Sequence, residues 1–223
     1  CKRKEFPGYG QRVTVIFCPF LYFCQMFLIQ SSLLHKLEQW DQWLFIQINN
    51  NQSNSIFDII MPYLSIAYFW IPLYLFLLVF IPMNFKNRGW WWCVTFLCTV
   101  SLCDMTSSKL VKEAFERWRP CADPNFLQYV RLLVDRCSGT YSFTSSHAAN
   151  HFGMATFIFI TLRPVIGRWM WIAFLWAAII GYAQVYVGVH YPFDILGGAA
   201  IGFLFGWLLA TFFNKRFGFV NFE

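Results

Sequence analysis

The sequence predicts an all-α, polytopic membrane protein with about six transmembrane helices and one amphipathic helix at the membrane surface. Of the 223 residues, 58% are hydrophobic and only 13% are charged, a smaller charged fraction than soluble domains carry. Several apolar runs approach the roughly 20 residues that a helix needs to cross a bilayer. The 11 tryptophans and 10 tyrosines suit the two interfacial belts of a membrane protein.

The first apolar run is predicted to be a transmembrane helix that stays in the membrane. Residues 1–12 are basic and rich in turn-forming residues, and residues 13–30 are apolar. A basic start before an apolar run is also typical of a signal peptide, but no small-residue cleavage site follows. Pro19 and Gln25 interrupt the apolar pattern of this span.

Residues 31–58 are predicted to contain the amphipathic helix. Apolar residues recur there at helical spacing, and Lys36, Glu38 and Asp41 fall on the opposite face. Such a pattern is typical of a helix that lies in the membrane interface. We therefore take residues 1–58 as an N-terminal part, separate from the transmembrane core.

Residues 59–213 are predicted to be that core, followed by a cytoplasmic tail at 214–223. The five core spans are expected at 59–82, 90–105, 148–162, 169–189 and 193–213. Basic residues precede the first span and follow the second, fourth and sixth, which makes that side cytoplasmic by the positive-inside rule. The long connection 106–146 and the turn at His190 then share the outer side.

The long outer connection breaks this rule, because it is itself rich in basic residues. These are Lys109, Lys112, Arg117, Arg119, Arg131 and Arg136. Binding of an anion explains them, and a surface ion-pair network with Glu113, Glu116, Asp123 and Asp135 is the alternative. The net charge of +6 is modest, so anionic lipid is the expected partner and nucleic acid is not.

Three polar segments lie at predicted helix ends on this outer side. In the first, Lys112 and Arg119 are seven residues apart, which on a helix places them on one face, with Pro120 ending that helix. In the second, the hydroxyl residues Ser142, Thr144, Ser145 and Ser146 precede His147 at a helix start. Hydroxyls and backbone N–H groups there form an anion site, although simple helix capping gives the same pattern.

The third polar segment holds His190 and Asp194, four residues apart. A carboxylate at this spacing is able to accept the other ring N–H of the histidine, which fixes its tautomer and raises its nucleophilicity. The alternative for each histidine is an interfacial side chain satisfied by water. That alternative is weakened because all three polar segments share one side of the membrane.

Together the three segments resemble the signature of the type 2 phosphatidic-acid phosphatase family, which is related to vanadium-dependent haloperoxidases. That family shows Lys, six residues and Arg-Pro; then Pro-Ser-Gly-His; then Ser-Arg, five residues, His, three residues and Asp. The corresponding stretches here are Lys112 to Arg119-Pro120, Thr144-Ser145-Ser146-His147, and Ala183-Gln184 with His190 and Asp194. The first motif is intact, and the other two depart from the family pattern.

The resemblance implies hydrolysis of a phosphomonoester or pyrophosphate without a metal or other cofactor. By the family mechanism, His190 attacks phosphorus, Asp194 orients it, and His147 protonates the leaving group and then activates water. The residues implied to hold the phosphoryl oxygens are Lys112, Arg119, Ser145, Ser146 and Gln184. Gln184 stands where the family has arginine, and this loss of charge is expected to slow the enzyme about tenfold. Arg131 or Arg136 is a candidate replacement in space.

The implied substrate is a lipid phosphate at the outer, periplasmic face of a bacterial cytoplasmic membrane. Undecaprenyl pyrophosphate is preferred, and phosphatidylglycerol phosphate, phosphatidate and lipid A phosphate also fit. The sequence does not indicate an oligomeric state. Cys121 and Cys137 lie within the long connection, and because this loop is expected to face an oxidising compartment, we predict a disulfide between them.

Two other functions stay open from the sequence. His147-x-x-x-His151 has the spacing for two metal ligands on one helix face, with His190 and Asp194 as further ligands of a metal-dependent hydrolase. The second alternative is a non-catalytic protein that binds or moves a lipid phosphate. The presence of Gln184 in place of the family arginine supports this alternative.

Overall fold

The computed structural model describes residues 2–6, 13–17, 19–137 and 139–219. The chain divides into two compact units, residues 1–42 and 43–223. In the first unit, strands β1 (Lys2–Phe6) and β2 (Val13–Phe17) pair as an antiparallel hairpin, with Lys2 opposite Phe17. Helix α1 (Pro19–Ile46) begins directly after this hairpin.

The predicted helix over residues 13–30 is wrong at its start, because residues 13–17 form strand β2. This segment, Val-Thr-Val-Ile-Phe, consists of residues that favour a pleated strand. Helix α1 then runs for 28 residues without the break expected near residue 30. Among the described residues, α1 is not one of the helices that are long and apolar enough to cross a membrane.

The second unit is helical. Its helices are α2 (Ser55–Ser65), α3 (Ile71–Met105), α4 (Lys112–Phe115), α5 (Ser146–Ile166), α6 (Ile172–Tyr186) and α7 (Pro192–Arg216). Within the described chain, three continuous helical stretches meet the length and hydropathy of membrane spans. They are Ala67–Phe115, Ser146–Tyr186 and Pro192–Arg216. The all-helical membrane bundle predicted from the sequence is therefore confirmed for this unit.

The stretch that contains α3 reverses direction at Lys86, whose φ of 51° lies outside the helical region. Cys93 Sγ lies 3.7 Å from the carbonyl oxygen of Leu78, whereas 15 residues of straight helix would separate them by about 22 Å. A Cβ atom at Gly89 would lie 2.6 Å from the carbonyl oxygen of Ile81. Glycine is required there because the two halves of the hairpin touch through their backbones.

The stretch from α5 to α6 reverses in the same way at Gly167, which has a φ of 82°. The rings of His151 and Trp176 are 5.0 Å apart, and those of Phe159 and Phe174 are 5.2 Å apart. Helix α6 therefore packs back along α5. Both reversals fall at short loops that the sequence predicted between spans.

Helices α5 and α7 pack through a row of glycines on α7. A Cβ atom at Gly202 would lie 2.5 Å from the carbonyl oxygen of Ala149, and one at Gly206 would lie 2.6 Å from that of Gly153. Small residues at a spacing of four allow two membrane helices to approach this closely. The contact aligns the N-termini of both helices, and these termini carry the candidate site.

The apolar core of the unit lies beside this contact, between α5 and the second half of α3. Trp92, Phe96 and Phe157 are almost completely buried there. The indole N–H of Trp92 donates to Thr161 Oγ1 at 2.8 Å, which satisfies its polar atom inside the core. This core lies away from the helix N-termini and leaves them free for polar groups.

Candidate active site

Arg119 reaches the site on extended backbone. Helix α4 ends at Phe115, because Glu116 adopts a left-handed conformation with a φ of 47°. Arg119 itself has a φ of −72° and a ψ of 152°. The prediction that one helix carries both Lys112 and Arg119 on the same face is therefore wrong.

Residues 117–119 form a short β-like pairing with residues 140–142. The Arg119 N–H donates to the Thr140 carbonyl at 3.3 Å, and the Ser142 N–H donates to the Arg117 carbonyl at 2.7 Å. A disulfide joins Cys121 to Cys137, with Cα atoms 5.8 Å apart, just beyond this pairing. The outer connection thus places Arg117, Arg119 and Ser142 side by side.

His190 and Asp194 form the centre of the site. His190 is 1% exposed and Asp194 is 0% exposed. His190 Nδ1 lies 3.5 Å from Asp194 Oδ2 and 3.3 Å from Ser142 Oγ. Asp194 Oδ2 also accepts hydrogen bonds from the Ser142 hydroxyl and, at 2.7 Å, from the Tyr191 backbone N–H. Asp194 Oδ2 and Ser142 Oγ beside Nδ1 favour the His190 tautomer that carries its proton on Nδ1. The lone pair of Nε2 is then free to attack.

From the sequence, Arg117 was expected only among the anion-binding basic residues and Ser142 only among the hydroxyls before His147. Neither was expected to contact Asp194. Arg117 Nη1 donates to Asp194 Oδ1 at 2.9 Å, and its guanidinium lies 4.2 Å from the ring centroid of Tyr191. On a helix Arg117 would point away from the face shared by Lys112 and Arg119. On extended backbone it points to the same side as Arg119, because side chains there alternate with a period of two.

Burial keeps the imidazole of His190 neutral at pH 7. Burial lowers the pKa of His190 to about 4, opposed by the carboxylate of Asp194 and reinforced by the cation of Arg119. Burial also lowers the pKa of Arg119, which Asp194 partly offsets. Lys112 and Arg119 both lie within Coulombic range of His190 and of His147. The structure therefore brings together five of the residues that the sequence singled out: Lys112, Arg119, His147, His190 and Asp194.

His147 lies in the first turn of α5, behind two serines. Ser145 is the N-cap, and its hydroxyl accepts from the Ala148 N–H at 3.4 Å. Its own N–H donates to the Asp194 carbonyl at 3.0 Å. The Ser146 hydroxyl accepts from buried Ser107, at 3.2 Å between the two oxygens. The capping role considered from the sequence is therefore present, at a helix N-terminus whose dipole favours an anion.

A cavity of about 400 Å³ opens beside His147. Its polar lining includes Ser146, His147, Asp104, Asn150, His151 and Tyr74. Its apolar lining includes Leu78, Phe96, Leu97, Val100 and Met154. His147 thus faces a cavity that is polar on one part of its lining and apolar on the other.

The arrangement does not supply the metal ligands considered from the sequence. His151 Nδ1 lies 2.7 Å from the His147 carbonyl oxygen, and His151 Nε2 lies 2.8 Å from the Tyr74 hydroxyl. Both ring nitrogens are therefore engaged. Among the described residues, no group of three or more His, Cys, Asp or Glu side chains is placed to hold a metal ion.

Gln184 is adjacent to the site but its side chain is directed elsewhere. Its Nε2 donates to the Ser65 carbonyl at 2.7 Å, at the end of α2, and the residue is 3% exposed. Its backbone carbonyl accepts from the His190 N–H at 3.3 Å. Gln184 therefore fixes the backbone of His190 in this structure, and its role in phosphate binding stays a prediction.

Arg131 does not stand in for the arginine that Gln184 replaces. Its Nη1 donates to Asp58 Oδ1 at 2.7 Å, and its Nη2 donates to the Asn49 carbonyl at 2.9 Å. The guanidinium lies 5.2 Å from the ring centroid of Tyr186. Arg131 thus braces the start of α2 against α6.

The model of the PAP2 superfamily matches residues 88–218, a range that includes all three motifs. The chain belongs to the PAP2 superfamily. The resemblance noted from the motifs is thereby confirmed.

Several relatives of this PAP2-superfamily protein are named as lipid phosphatases. A lipid A 4′-phosphatase from Bacteroides thetaiotaomicron is 30% identical over 186 residues, covering 82% of this chain and 81% of the relative. The crystal structure of Aquifex aeolicus LpxE has a TM-score of 0.57 and 27% identity, covering 75% of this chain and 93% of that one. That of a phosphatidylglycerolphosphate phosphatase from Bacillus subtilis has a TM-score of 0.64 at 22% identity, covering 91% and 98%, a likeness that shows the fold.

Proposed function

We propose that this PAP2-superfamily enzyme is a membrane lipid phosphatase that hydrolyses a phosphomonoester on a glycolipid of the lipid A class. The observation that carries the proposal is the buried pair of His190 and Asp194, which leaves one imidazole nitrogen unprotonated within range of two cations, Lys112 and Arg119. The same two cations lie within range of His147. A nucleophile, its orienting carboxylate and charge for the phosphoryl oxygens are the parts that such a hydrolysis needs.

In the first step, the Nε2 lone pair of His190 attacks phosphorus and forms an N–P bond. The bond from phosphorus to the leaving oxygen breaks, and His147 donates a proton to that oxygen. The imidazole becomes positively charged, and the Asp194 carboxylate beside Nδ1 stabilises this charge. The product of the step is a phosphohistidine and the dephosphorylated lipid.

In the second step, water replaces the lipid on the side of His147. His147, now neutral, takes a proton from that water as its oxygen attacks phosphorus. The N–P bond breaks, its electron pair returns to Nε2 of His190, and inorganic phosphate leaves. The enzyme is then restored to its starting protonation state.

Throughout both steps, charge on the phosphoryl oxygens has to be stabilised. Lys112 and Arg119 supply two positive charges, and Arg119 is 9% exposed, so water screens its charge little. Ser145 and the Ser146 N–H add donors at the start of α5. Gln184 is included as a neutral donor, which requires its amide to turn from the Ser65 carbonyl when substrate binds.

The lipid A class is favoured over the undecaprenyl pyrophosphate expected from the sequence. Relatives from Bacteroides thetaiotaomicron and Porphyromonas gingivalis, 30% and 29% identical, are both lipid A 4′-phosphatases. The cavity beside His147 adds support, because it combines polar groups for a sugar with apolar side chains for acyl chains.

We further propose six transmembrane spans in the cytoplasmic membrane, with the site facing the periplasm. Basic residues lie beside the reversals at Lys86 and Gly167 and at the end of α7. The positive-inside rule therefore favours a cytoplasmic position for these three helix ends. The N-termini of α5 and α7 are at the opposite helix ends. The sixth span requires the N-terminal helix α1 to cross the membrane.

The test is phosphate release by the purified protein in detergent. Substrates are a lipid A 4′-phosphate, undecaprenyl pyrophosphate, phosphatidylglycerol phosphate and phosphatidate, each with EDTA or vanadate added separately. The proposal expects lipid A 4′-phosphate to be preferred, with release that survives EDTA, falls with vanadate and is absent from His190→Ala. Loss of activity in EDTA with recovery in zinc would support a metal enzyme instead.

The covalent intermediate has its own test in the His147→Ala variant. A substrate with an acidic leaving group, such as p-nitrophenyl phosphate, does not need a general acid in the first step, whereas the second step still needs a base. Phosphohistidine is therefore expected to accumulate on His190 and to be lost in acid. Tight lipid-phosphate binding without any turnover would favour the non-catalytic alternative.

A further inference from the structure

We propose that Asp104 and Asn150 form a leaving-group site that selects lipid phosphates with a neutral, hydroxyl- or amide-bearing leaving group, such as a sugar, and rejects anionic leaving groups. This inference rests on the proposed function, because it assumes that His147 protonates the leaving oxygen. It names which part of the substrate the cavity recognises.

The two residues lie next to His147 on two different helices. Asp104 is in the last turn of α3. Asn150 follows His147 by three residues on α5, which places Asn150 and His147 on one face of that helix. Both line the 400 Å³ cavity together with His147. Asn150 Nδ2 donates to Asp104 Oδ1 at 3.3 Å. The pair is therefore held together at the side of the site where the leaving group has to be.

Among the described residues, the pair carries one unmatched acceptor, the side-chain oxygen of Asn150. Within the described chain, Asn150 Oδ1 is a buried side-chain atom that has no hydrogen-bond partner. One N–H of the Asn150 amide is used by Asp104, whereas the amide oxygen has no donor in the part of the chain that the structure describes. Buried polar atoms are normally paired, and this one requires a donor. Hydroxyl and amide N–H groups of an acylated amino sugar are such donors.

The charge of Asp104 excludes other leaving groups. Asp104 interacts electrostatically with both His147 and Lys112, which in the proposed function contact the leaving oxygen and the phosphoryl oxygens. Hydrolysis of a pyrophosphate releases a lipid phosphate, and the negative charge of that leaving group would face the Asp104 carboxylate. Repulsion between these two negative charges disfavours binding of a pyrophosphate. A neutral sugar meets no such repulsion.

The apolar part of the cavity is consistent with the same ligand. Leu78, Phe96, Leu97, Val100 and Met154 line it beyond the polar residues. Acyl chains attached to the sugar would follow this lining towards the membrane interior. The site is therefore matched to a leaving group that is polar near phosphorus and apolar further away.

The experiment compares kcat/KM of wild type, Asp104→Asn and Asn150→Leu on three substrates. These are a lipid A 4′-phosphate, phosphatidate, whose leaving group has no donor near phosphorus, and undecaprenyl pyrophosphate. Both variants are expected to lose roughly tenfold on the sugar phosphate and to change less than about threefold on phosphatidate. Asp104→Asn is also expected to gain roughly tenfold on the pyrophosphate. Asp135→Asn, an exposed carboxylate of the outer connection, is the matched control.

An equal loss on all three substrates would overturn the proposal, because Asp104 would then act through Lys112 or His147 and not on the leaving group. Binding of the dephosphorylated glucosamine lipid, measured as a thermal shift, provides a readout that needs no turnover. Wild type should bind it, and both variants should bind it roughly tenfold more weakly. Such binding without any hydrolysis would refute the proposed function alone, whereas hydrolysis with unchanged lipid binding in both variants would refute this inference alone.

Discussion

Arg117 Nη1 donates to Asp194 Oδ1 at 2.9 Å, and the other oxygen of the same carboxylate faces His190. Asp194 is fully buried, and a buried carboxylate is costly unless a charge and hydrogen bonds compensate it. Arg117 supplies that charge, while Ser142 and the Tyr191 N–H complete the hydrogen bonds. Arg117 thus acts on the nucleophile through Asp194 as a positioning residue.

Replacing Arg117 by glutamine is expected to lower kcat by about 10- to 100-fold with little change in KM. The loss corresponds to one charge-assisted hydrogen bond, about 1.5–3 kcal/mol, and Arg117→Lys should recover part of it. Arg136→Gln, at an exposed arginine of the same connection, is the control and should behave as wild type. A raised KM at unchanged kcat would show that Arg117 contacts the phosphate instead.

The stability of the protein is expected to fall as the pH is lowered from about 6.5 to about 4. Burial lowers the pKa of His190 from 6.5 to about 4 in the folded protein. Between these values the unfolded chain binds a proton at this residue and the folded chain does not, so acid favours unfolding. His190→Asn keeps a donor towards Asp194 but does not titrate.

The measurement is the midpoint of thermal unfolding in detergent at several pH values between 4 and 8. The wild type should lose more stability towards acid than His190→Asn, and the exposed His35→Asn should follow the wild type. Parallel curves for wild type and His190→Asn would contradict a buried neutral imidazole at this position.

Sequence spacing was sufficient for the parts of the site at the N-termini of α5 and α7. Ser145 and His147 were expected at the start of a helix, and Ser145 is the N-cap of α5 while His147 lies in its first turn. His190 and Asp194 were expected to pair at a spacing of four, and they do. Local capping and periodicity determine such positions, so they can be inferred from neighbouring residues alone.

The same reasoning failed where long-range pairing overrides local propensity. Seven-residue spacing predicted a helix from Lys112 to Arg119, but residues 117–119 pair with 140–142, far away in sequence. That pairing brings Arg117 and Ser142 to Asp194, and no local pattern contains this information. The hairpin of Lys2–Phe6 and Val13–Phe17 was missed for a related reason, since hydropathy alone does not separate a strand from the start of a helix.

The disulfide between Cys121 and Cys137 is predicted to form in the cell and to stabilise the outer connection. It closes a separation of 16 residues, for which loop entropy gives about 3 kcal/mol. The double variant Cys121→Ser/Cys137→Ser should unfold at a lower temperature than wild type and lose activity on heating sooner. Cys98→Ser, at an exposed free cysteine, is the control.

Thiol labelling of the denatured protein gives a second check of the same disulfide. Reduction should expose two further thiols in the wild type and none in the double variant. An equal thiol count before and after reduction of the wild type would refute the prediction.

Gln184→Arg is predicted to leave turnover equal or to raise it by up to about tenfold. The structure gives position 184 one acceptor, the Ser65 carbonyl at 2.7 Å from Nε2. An arginine has five N–H donors, so it is able to keep that contact and direct further donors and a positive charge towards the phosphate. A charge-assisted bond in place of a neutral one corresponds to about 1–2 kcal/mol.

The matched control is Gln184→Leu, which removes the donor to Ser65 without adding charge. It should lower the unfolding temperature, since a buried carbonyl is left unpaired, and its kcat should fall if the backbone of His190 shifts. Severe inactivation by Gln184→Arg in a protein that unfolds at the wild-type temperature would mean that the site is built around the amide. In that case the cationic charge of Lys112 and Arg119 already suffices for the phosphoryl oxygens.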